Sequence, residues 1–326
     1  MRVLLIGATG QIGFALAEAL SCTSHHTSVL VRDRGTLSFP PNISVLESKQ
    51  FTTDAFYQAL SAVDCVIYGV GLPEQFSLDD QLFHRVNFGL FKTFLEALQR
   101  SSVRRLVYIS TYEVFQPIDG LIRETHPIAV QRGMTPYFKA MTQAYELALE
   151  FAARENVALT TIHPAAVYGG LNTGDGFTNY IENLLHWRLW KIPVIVEGRF
   201  PVVHADSLAT AIVQSIGEAG AAYIVSDQMT SLKEVALTLR HHARSYVPPT
   251  APLWMAHSTT GVLESLARLT RTKPVMARVQ IEFITKGWEP RSERAEKDLG
   301  WKPWTLSEGI QKYLKDRGRL PGQGAA

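Results

Sequence analysis

Apolar residues along the chain recur with two different periods. Short runs rich in β-branched side chains occupy residues 3–6, 28–31, 43–46, 65–68, 106–110 and 158–163, while the stretches 12–20, 80–100 and 137–154 repeat their apolar positions every three to four residues. The first pattern reads as strand and the second as one buried helix face. Their alternation predicts an α/β protein with a parallel sheet covered by helices on both sides. A strand at 201–204, a helix at 207–216 and a strand at 222–225 are expected to return to that sheet. Residues 169–199 and 227–326 carry longer loops, aromatic residues and prolines, and are expected to form a smaller carboxyl-terminal substrate lobe over the sheet's carboxyl edge. The main domain then comprises residues 1–168 and about 200–226. There is no internal repeat, and residues 321–326 read as a frayed tail.

Composition narrows the function classes. Of 326 residues, 46% are hydrophobic and 19% charged, with a formal charge of +2. This is the profile of an ordinary packed protein, with no basic footprint for nucleic acid or for an acidic membrane surface. The opening apolar run is too short for a secretion signal, and no later run reaches the roughly eighteen residues that a membrane span needs. With only Cys22 and Cys65, and Cys65 inside an apolar run, a reducing cytoplasm is the expected setting. The paired histidines His25-His26 and His241-His242 lack metal-ligand spacing, so no metal is expected.

The chemistry begins where residues 3–6 run into Gly7-Ala8-Thr9-Gly10-Gln11-Ile12-Gly13 and helical periodicity follows. Strand, glycine turn and helix form the context in which a dinucleotide pyrophosphate is bound. One glycine permits the tight turn, the next admits the phosphate, the third allows helix to pack on strand, and the helix amino terminus offers free N–H groups. The fold expected is therefore a doubly wound, Rossmann-type parallel sheet, with Gly7, Thr9, Gly10, Gln11, Ile12 and Gly13 at the nucleotide. The following strand ends Val31-Arg32-Asp33-Arg34. An NAD site usually has an acid there, whereas Arg32 and Arg34 suit a 2′-phosphate. NADP(H) is favoured over NAD(H), and Asp33 keeps NAD(H) open.

With the glycines in place, the chain resembles the extended short-chain dehydrogenases/reductases, the NAD-dependent epimerase/dehydratase family, over nearly its whole length. Further similar landmarks are residues 63–68, Val86-Asn87, the run Leu106-Val107-Tyr108-Ile109-Ser110-Thr111, the run His163-Pro164-Ala165-Ala166-Val167-Tyr168-Gly169, Val203-His204-Ala205-Asp206, and Leu299-Gly300-Trp301-Lys302-Pro303. The resemblance implies further nucleotide contacts from Val70, Asn87, Pro164 and Val167, a small-molecule substrate, and a homodimer built through the 80–100 and 137–154 helices. It also implies that Thr111 is the catalytic hydroxyl residue and Tyr137 the catalytic tyrosine.

One departure dominates. In the Tyr-x-x-x-Lys motif this chain reads Tyr137-Phe138-Lys139-Ala140-Met141. Thr135 and Pro136 read as cap and first turn of a helix, so Met141 shares the face of Tyr137 and Lys139 points elsewhere. The family's lysine, about 4 to 5 Å from the phenol, would be worth roughly 3 to 4 kcal/mol, or about 2 to 3 pK units. Without it Tyr137 is expected to stay near its reference pKa of about 10 and to be a poor resting base. Carbonyl reduction needs the tyrosine protonated, so it tolerates the loss better than alcohol oxidation or epimerisation.

Three readings follow. The first is an NADP(H)-dependent reductase of a small, rather apolar carbonyl compound, with Tyr137 as proton donor and Thr111 as hydrogen-bonding partner. The second rests on Ser110-Thr111-Tyr112-Glu113-Val114-Phe115, which resembles sugar-nucleotide dehydratases and decarboxylases with bound NAD. Glu113 would be its acid or base, although Tyr112 stands where dehydratases carry aspartate; the plainer expectation for Glu113 is an exposed turn residue. The third is a nucleotide-binding sensor or scaffold without turnover. His163 is expected to be a core imidazole, Asp206 to cap the helix from Ser207, and His204 to fix the adjoining loop. Trp187, Trp190 and the segment 252–255 place large apolar groups in the lobe, and residues 261–274 and 281–288 resemble the variable region of dihydroflavonol reductases and hydroxysteroid dehydrogenases.

Overall fold

Val3, Leu4, Leu5 and Ile6 are all buried at 1% exposure or less, because the strand they form lies at the middle of a sheet covered on both faces. The computed structural model of the protein describes residues 1–72, 77, 79–129, 135–170, 177–188, 191, 194–218, 220–255, 260–261, 269–270 and 278–319. Along the chain run β1 (Arg2–Ile6), α1 (Gln11–Ser21), β2 (His26–Val31), β3 (Ile43–Glu47), α2 (Thr53–Ala59), β4 (Cys65–Tyr68), α3 (Asp80–Phe83), α4 (Leu90–Gln99), β5 (Arg105–Ile109) and β6 (Leu121–Ile122). Next come α5 (Pro136–Glu155), β7 (Ala158–Pro164), β8 (Ala166–Tyr168), α6 (Phe177–Leu185), β9 (Ile195–Val196), β10 (Phe200–His204) and α7 (Ala205–Ser215). The chain continues with β11 (Ala222–Val225), β12 (Gln228–Thr230), α8 (Leu232–His242), β13 (Thr250–Ala251), the helix Arg278–Thr285, β14 (Glu289–Pro290), and the helices Glu293–Leu299 and Leu306–Asp316.

Seven strands form one parallel sheet in the order β11-β7-β5-β4-β1-β2-β3. The doubly wound Rossmann-type sheet expected from the alternating pattern is thus present. One face packs Leu4, Ile6 and Tyr68 against Phe56 of α2, Phe91 and Phe94 of α4, and Ala144 and Ala148 of α5. The other packs Val3, Leu5 and Ile67 against Leu16 and Leu20 of α1 and Leu208 and Ile212 of α7. Such two-sided burial explains why these strands read as continuous apolar runs rather than as alternating ones.

Two expectations are corrected. Of the strands expected to return to the sheet, only β11 does; β10 pairs with β8 and β12 in a separate three-stranded sheet. The stretch 80–100 is not one regular helix, since a π-helical segment, His84–Gly89, lies between α3 and α4. An extra residue per turn is invisible to an apolar period, yet it turns Asn87 into the interior, 2% exposed. Such segments are frequent at functional sites.

A third core joins α6, β9, β10, α8 and the helix Leu306–Asp316 through Ile181, Leu184, Phe200, Leu239 and Ile310. Most of residues 261–274, Trp190 and residues 321–326 lie outside the described residues.

Candidate active site

The sheet order reverses between β1 and β4, and the loops leaving these two strands bound the crevice where doubly wound sheets take ligands. Gly7 adopts a φ of +102°, and a Cβ there would meet the Gly69 backbone at 2.8 Å. A Cβ on Gly13 would lie 2.1 Å from the Gly7 carbonyl oxygen. Both glycines are therefore committed to packing. Gly10 differs: it is exposed, and a Cβ there would meet only the Gly7 oxygen, at 3.5 Å. It also caps α1 with no side-chain partner, which leaves the first N–H groups of the helix for an incoming acceptor. The turn fits a pyrophosphate.

The neighbours of this turn hold its shape. Gln11 donates to the Gly169 carbonyl at 2.8 Å and to Thr178 Oγ1 at 2.9 Å, tying the turn to the lobe. Asn87 accepts from Leu72 N at 2.6 Å and donates to Leu72 O at 3.2 Å. Its side chain is thus engaged with the loop after β4, which carries Val70. Thr9, Ile12, Val70 and Val167 are partly buried and Pro164 is buried. At the tip of β2, Arg32 is exposed and has no ion-pair partner among the described residues. Asp33 accepts from Gly35 N at 2.8 Å within its own turn, and Arg34 lies 3.5 Å from Glu47 in an exposed pair.

Thr111 follows β5, buried at 7% exposure. Its Oγ1 accepts from Glu113 N at 3.4 Å and opens the single turn of 3-10 helix Tyr112–Val114. Beneath it, the His163 Nδ1 donates to the Thr111 carbonyl oxygen at 3.1 Å, and Nε2 lies 2.8 Å from Thr161 Oγ1. His163 is fully buried, and burial pushes its pKa down to about 3. It is the core imidazole expected, and it fixes the end of the strand that presents Thr111.

Tyr137 enters from the first turn of α5. Thr135 Oγ1 accepts from Phe138 N at 3.4 Å and Pro136 occupies the first helical position, the cap legible in the sequence. The Tyr137 phenol lies beside Thr111, which favours its ionised form against the other groups around it. One turn on, Met141 is 7% exposed within the same apolar core as Tyr145 and Phe115, and Lys139 is exposed to solvent. The expectation that Tyr137 titrates near its reference value is corrected: burial first, then the adjacent Glu113, raises it well above the ordinary phenol range, against the opposing effect of Thr111.

Glu113 is not an exposed turn residue. It is 6% exposed, and burial pushes its carboxyl up to about 8, with the nearby Lys286 ammonium opposing. Lys286 Nζ lies 3.9 Å from Glu113 Oε1. The ammonium also sits 4.2 Å from the Trp288 ring centroid and 5.1 Å from that of Phe138. Lys286 escaped the sequence reading because it belongs to no motif and reaches the site from beyond the helix Arg278–Thr285. No local spacing signals it.

The Val203-His204-Ala205-Asp206 segment lies behind the crevice. His204, rather than Asp206, caps α7 by accepting from Asp206 N at 3.2 Å; Asp206 instead pairs with Lys312 at 2.9 Å. The carboxylate that organises this corner is Asp227, which accepts from His204 N, Ser207 Oγ and Trp304 N at 2.7, 2.6 and 2.9 Å. Among the described residues no group of three or more His, Cys, Asp or Glu is placed to hold a metal, and no helix is long and apolar enough to cross a membrane.

The chain's resemblances agree with this geometry. It is 24% identical over 361 residues to short-chain dehydrogenase/reductase family 42E member 1 of Bos taurus, covering 98% of this chain and 89% of that protein. It is 26% identical over 271 residues to ketoreductase sphI of Aspergillus fumigatus, covering 72% and 81%. In three dimensions it is similar to the UDP-glucuronic acid 4-epimerase of Bacillus cereus in complex with NAD, with a TM-score of 0.74 at 16% identity, covering 100% of this chain and 99% of the other. Residues 3–225 match the model of the NAD dependent epimerase/dehydratase family, and the chain belongs to that family.

Proposed function

We propose that the protein is an NADP(H)-dependent oxidoreductase that reduces the carbonyl group of a small, rather apolar molecule. The observation that carries this reading is the Tyr137 phenol, set beside Thr111 and kept protonated by burial and the adjacent Glu113, with Met141 in the place of a cation. A tyrosine kept neutral is a poor base and a serviceable acid. In reduction it meets a forming alkoxide far more basic than phenolate, so proton transfer runs downhill without a nearby cation. Thr111 orients the phenol and offers its hydroxyl to the carbonyl oxygen.

The nicotinamide, when bound, supplies the hydride. The uncapped start of α1 and the open face of Gly10 would take the pyrophosphate. Arg32 would take a 2′-phosphate, since Asp33 is engaged in its own turn. Asn87 would act through the loop it clamps, and Val70, Pro164 and Val167 would line the crevice. The exposed Trp187, Leu253 and Trp254 of the lobe support an apolar substrate. The likeness to ketoreductase sphI adds to the reductase reading.

A second reading draws on Glu113. A buried carboxyl with pKa about 8 beside the tyrosine is a serviceable acid–base group at neutral pH. It favours the internal redox chemistry of nucleotide-sugar epimerases or dehydratases with retained NAD, and the Bacillus cereus epimerase holds NAD.

The test is to purify the protein, identify any retained nucleotide, and follow NADPH and NADH oxidation across a carbonyl panel. Freely exchanging NADPH consumed only with a carbonyl compound, and lost in Tyr137→Phe, is the expected result. Trapped NAD and turnover of a UDP-sugar would replace the first reading by the second.

A further inference from the structure

Among the described residues Lys286 is a cation at the acid–base cluster that no motif accounts for. Its side chain is 27% exposed and sits between the rings of Trp288 and Phe138, and Phe138 directly follows Tyr137 in α5. Its ammonium is 3.9 Å from Glu113 Oε1, an oxygen with no hydrogen-bond partner among the described residues. At that separation the pair acts through its field rather than through a fixed hydrogen bond. The other titratable groups that interact with Glu113 are Tyr112 on its own turn and Tyr137 from α5. Both phenols are neutral at physiological pH, and burial pushes them further from ionising. Among the described residues Lys286 is therefore the cation that faces Glu113.

We propose that Lys286 is a positioning residue of this site: acting through Glu113, it governs the charge beside Tyr137. The proposal rests on the reductase reading for its catalytic half. An ionised Glu113 places negative charge beside the oxygen on which charge accumulates during carbonyl reduction, so turnover slows as Glu113 loses its proton. Lys286 lowers the pH at which that happens. Removing the ammonium keeps Glu113 neutral further into the alkaline range, and the falling limb of the pH profile moves with it.

The experiment pairs a spectroscopic titration with kinetics on the full chain. The infrared band of the protonated Glu113 carboxyl, assigned by its absence in Glu113→Gln, is followed against pH in the wild type, Lys286→Met and Lys286→Arg, alongside kcat for reduction. In Lys286→Met the band midpoint should move up by about one pH unit or more, with the alkaline limb of kcat moving equally. Lys286→Arg should restore both. Combining Lys286→Met with Glu113→Gln should leave the kinetic profile of Glu113→Gln unmoved. An unchanged band midpoint in Lys286→Met, or an equal kinetic shift in the Glu113→Gln background, overturns the proposal. A shifted band in a protein that reduces no carbonyl overturns the reductase reading while upholding the Lys286–Glu113 coupling. Lys286→Gln is the second neutral variant if Lys286→Met does not fold.

Discussion

The buried ring of His163 ties two strands together by donating from Nδ1 to the Thr111 carbonyl oxygen at 3.1 Å while Nε2 meets Thr161 Oγ1 at 2.8 Å. A carbonyl can only accept, so the proton sits on Nδ1 and Nε2 accepts from the Thr161 hydroxyl. The rings of Phe115 and Tyr145 close over the imidazole, with centroids 4.6 and 4.9 Å away. The position of Thr111, and with it the hydroxyl that meets Tyr137, thus depends on a histidine that contacts no substrate.

This arrangement makes stability depend on acid in a defined direction. The folded pKa of His163, about 3, lies below the unfolded value of about 6.5. Its contribution is therefore fully present above pH 6.5 and is lost as pH falls from there toward 3. Between pH 7 and 4.5 the wild type should lose on the order of 2 to 3 kcal/mol through this group. His163→Asn keeps a donor for Thr111 but cannot titrate. It should be about 1 to 3 kcal/mol less stable at pH 7 and lose clearly less on acidification. Denaturant midpoints at the two pH values measure this, and parallel losses would sink the account.

The glycines of the nucleotide turn separate packing from binding. Gly13→Ala would drive a Cβ to 2.1 Å from the Gly7 oxygen, so it should unfold the turn and lower the melting temperature by several degrees. Gly10 has an ordinary φ of −79° and free space before it. Gly10→Ala should therefore fold with little change in melting temperature and yet bind nucleotide at least about tenfold more weakly, because the methyl occupies the place of a phosphate. Calorimetric titration with NADPH on the folded variant decides it. Unimpaired binding would mean that the phosphates lie elsewhere.

What was legible in the sequence followed from local causes. Strands buried on both faces must be apolar throughout, so β1, β4 and β11 could be read almost to the residue, and Thr135-Pro136 announced the start of α5. Partners were less legible than elements. Residues 201–204 look like any buried strand, and nothing in an apolar run says which neighbour it will pair with, hence its unexpected place beside β8 and β12. Asp206 has the right chemistry for a cap, but His204 stands two positions earlier and does the capping. Glu113 and Lys286 come together only in three dimensions, and Tyr137 titrates high chiefly because it is buried, with Glu113 adding to the effect.

Met141 lies in the core, so restoring the family lysine has two opposed effects. Met141→Lys should lower stability by about 1 to 3 kcal/mol, because an ammonium enters an apolar site. The same charge beside Tyr137 should favour phenolate, and so raise alcohol oxidation at neutral pH more than carbonyl reduction at matched driving force. Rates in both directions with one alcohol–carbonyl pair, together with a melting curve, test both halves. Equal or absent responses of the two rates would show that the missing lysine does not set the direction of turnover.

On the proposed reading, Arg32 decides between NADPH and NADH. It stands exposed at the tip of β2 while Asp33 turns its carboxylate back onto Gly35 N at 2.8 Å, so the cation rather than the acid is available to a ribose substituent. An exposed charge-assisted contact of this kind contributes about 1.5 to 2 kcal/mol, or roughly a 10- to 30-fold change in dissociation constant. Arg32→Ala should therefore weaken NADPH by about that factor, leave NADH nearly unchanged, and flatten the dependence of NADPH binding on salt. Arg34, paired with Glu47 at 3.5 Å, should matter less, and Arg34→Ala serves as the control. If Arg32→Ala weakens both nucleotides alike, the arginine serves the turn rather than a 2′-phosphate. If the wild type binds NADH more tightly than NADPH, Asp33 must leave its turn to meet the ribose, and breaking its bond to Gly35 is then the cost of NAD binding.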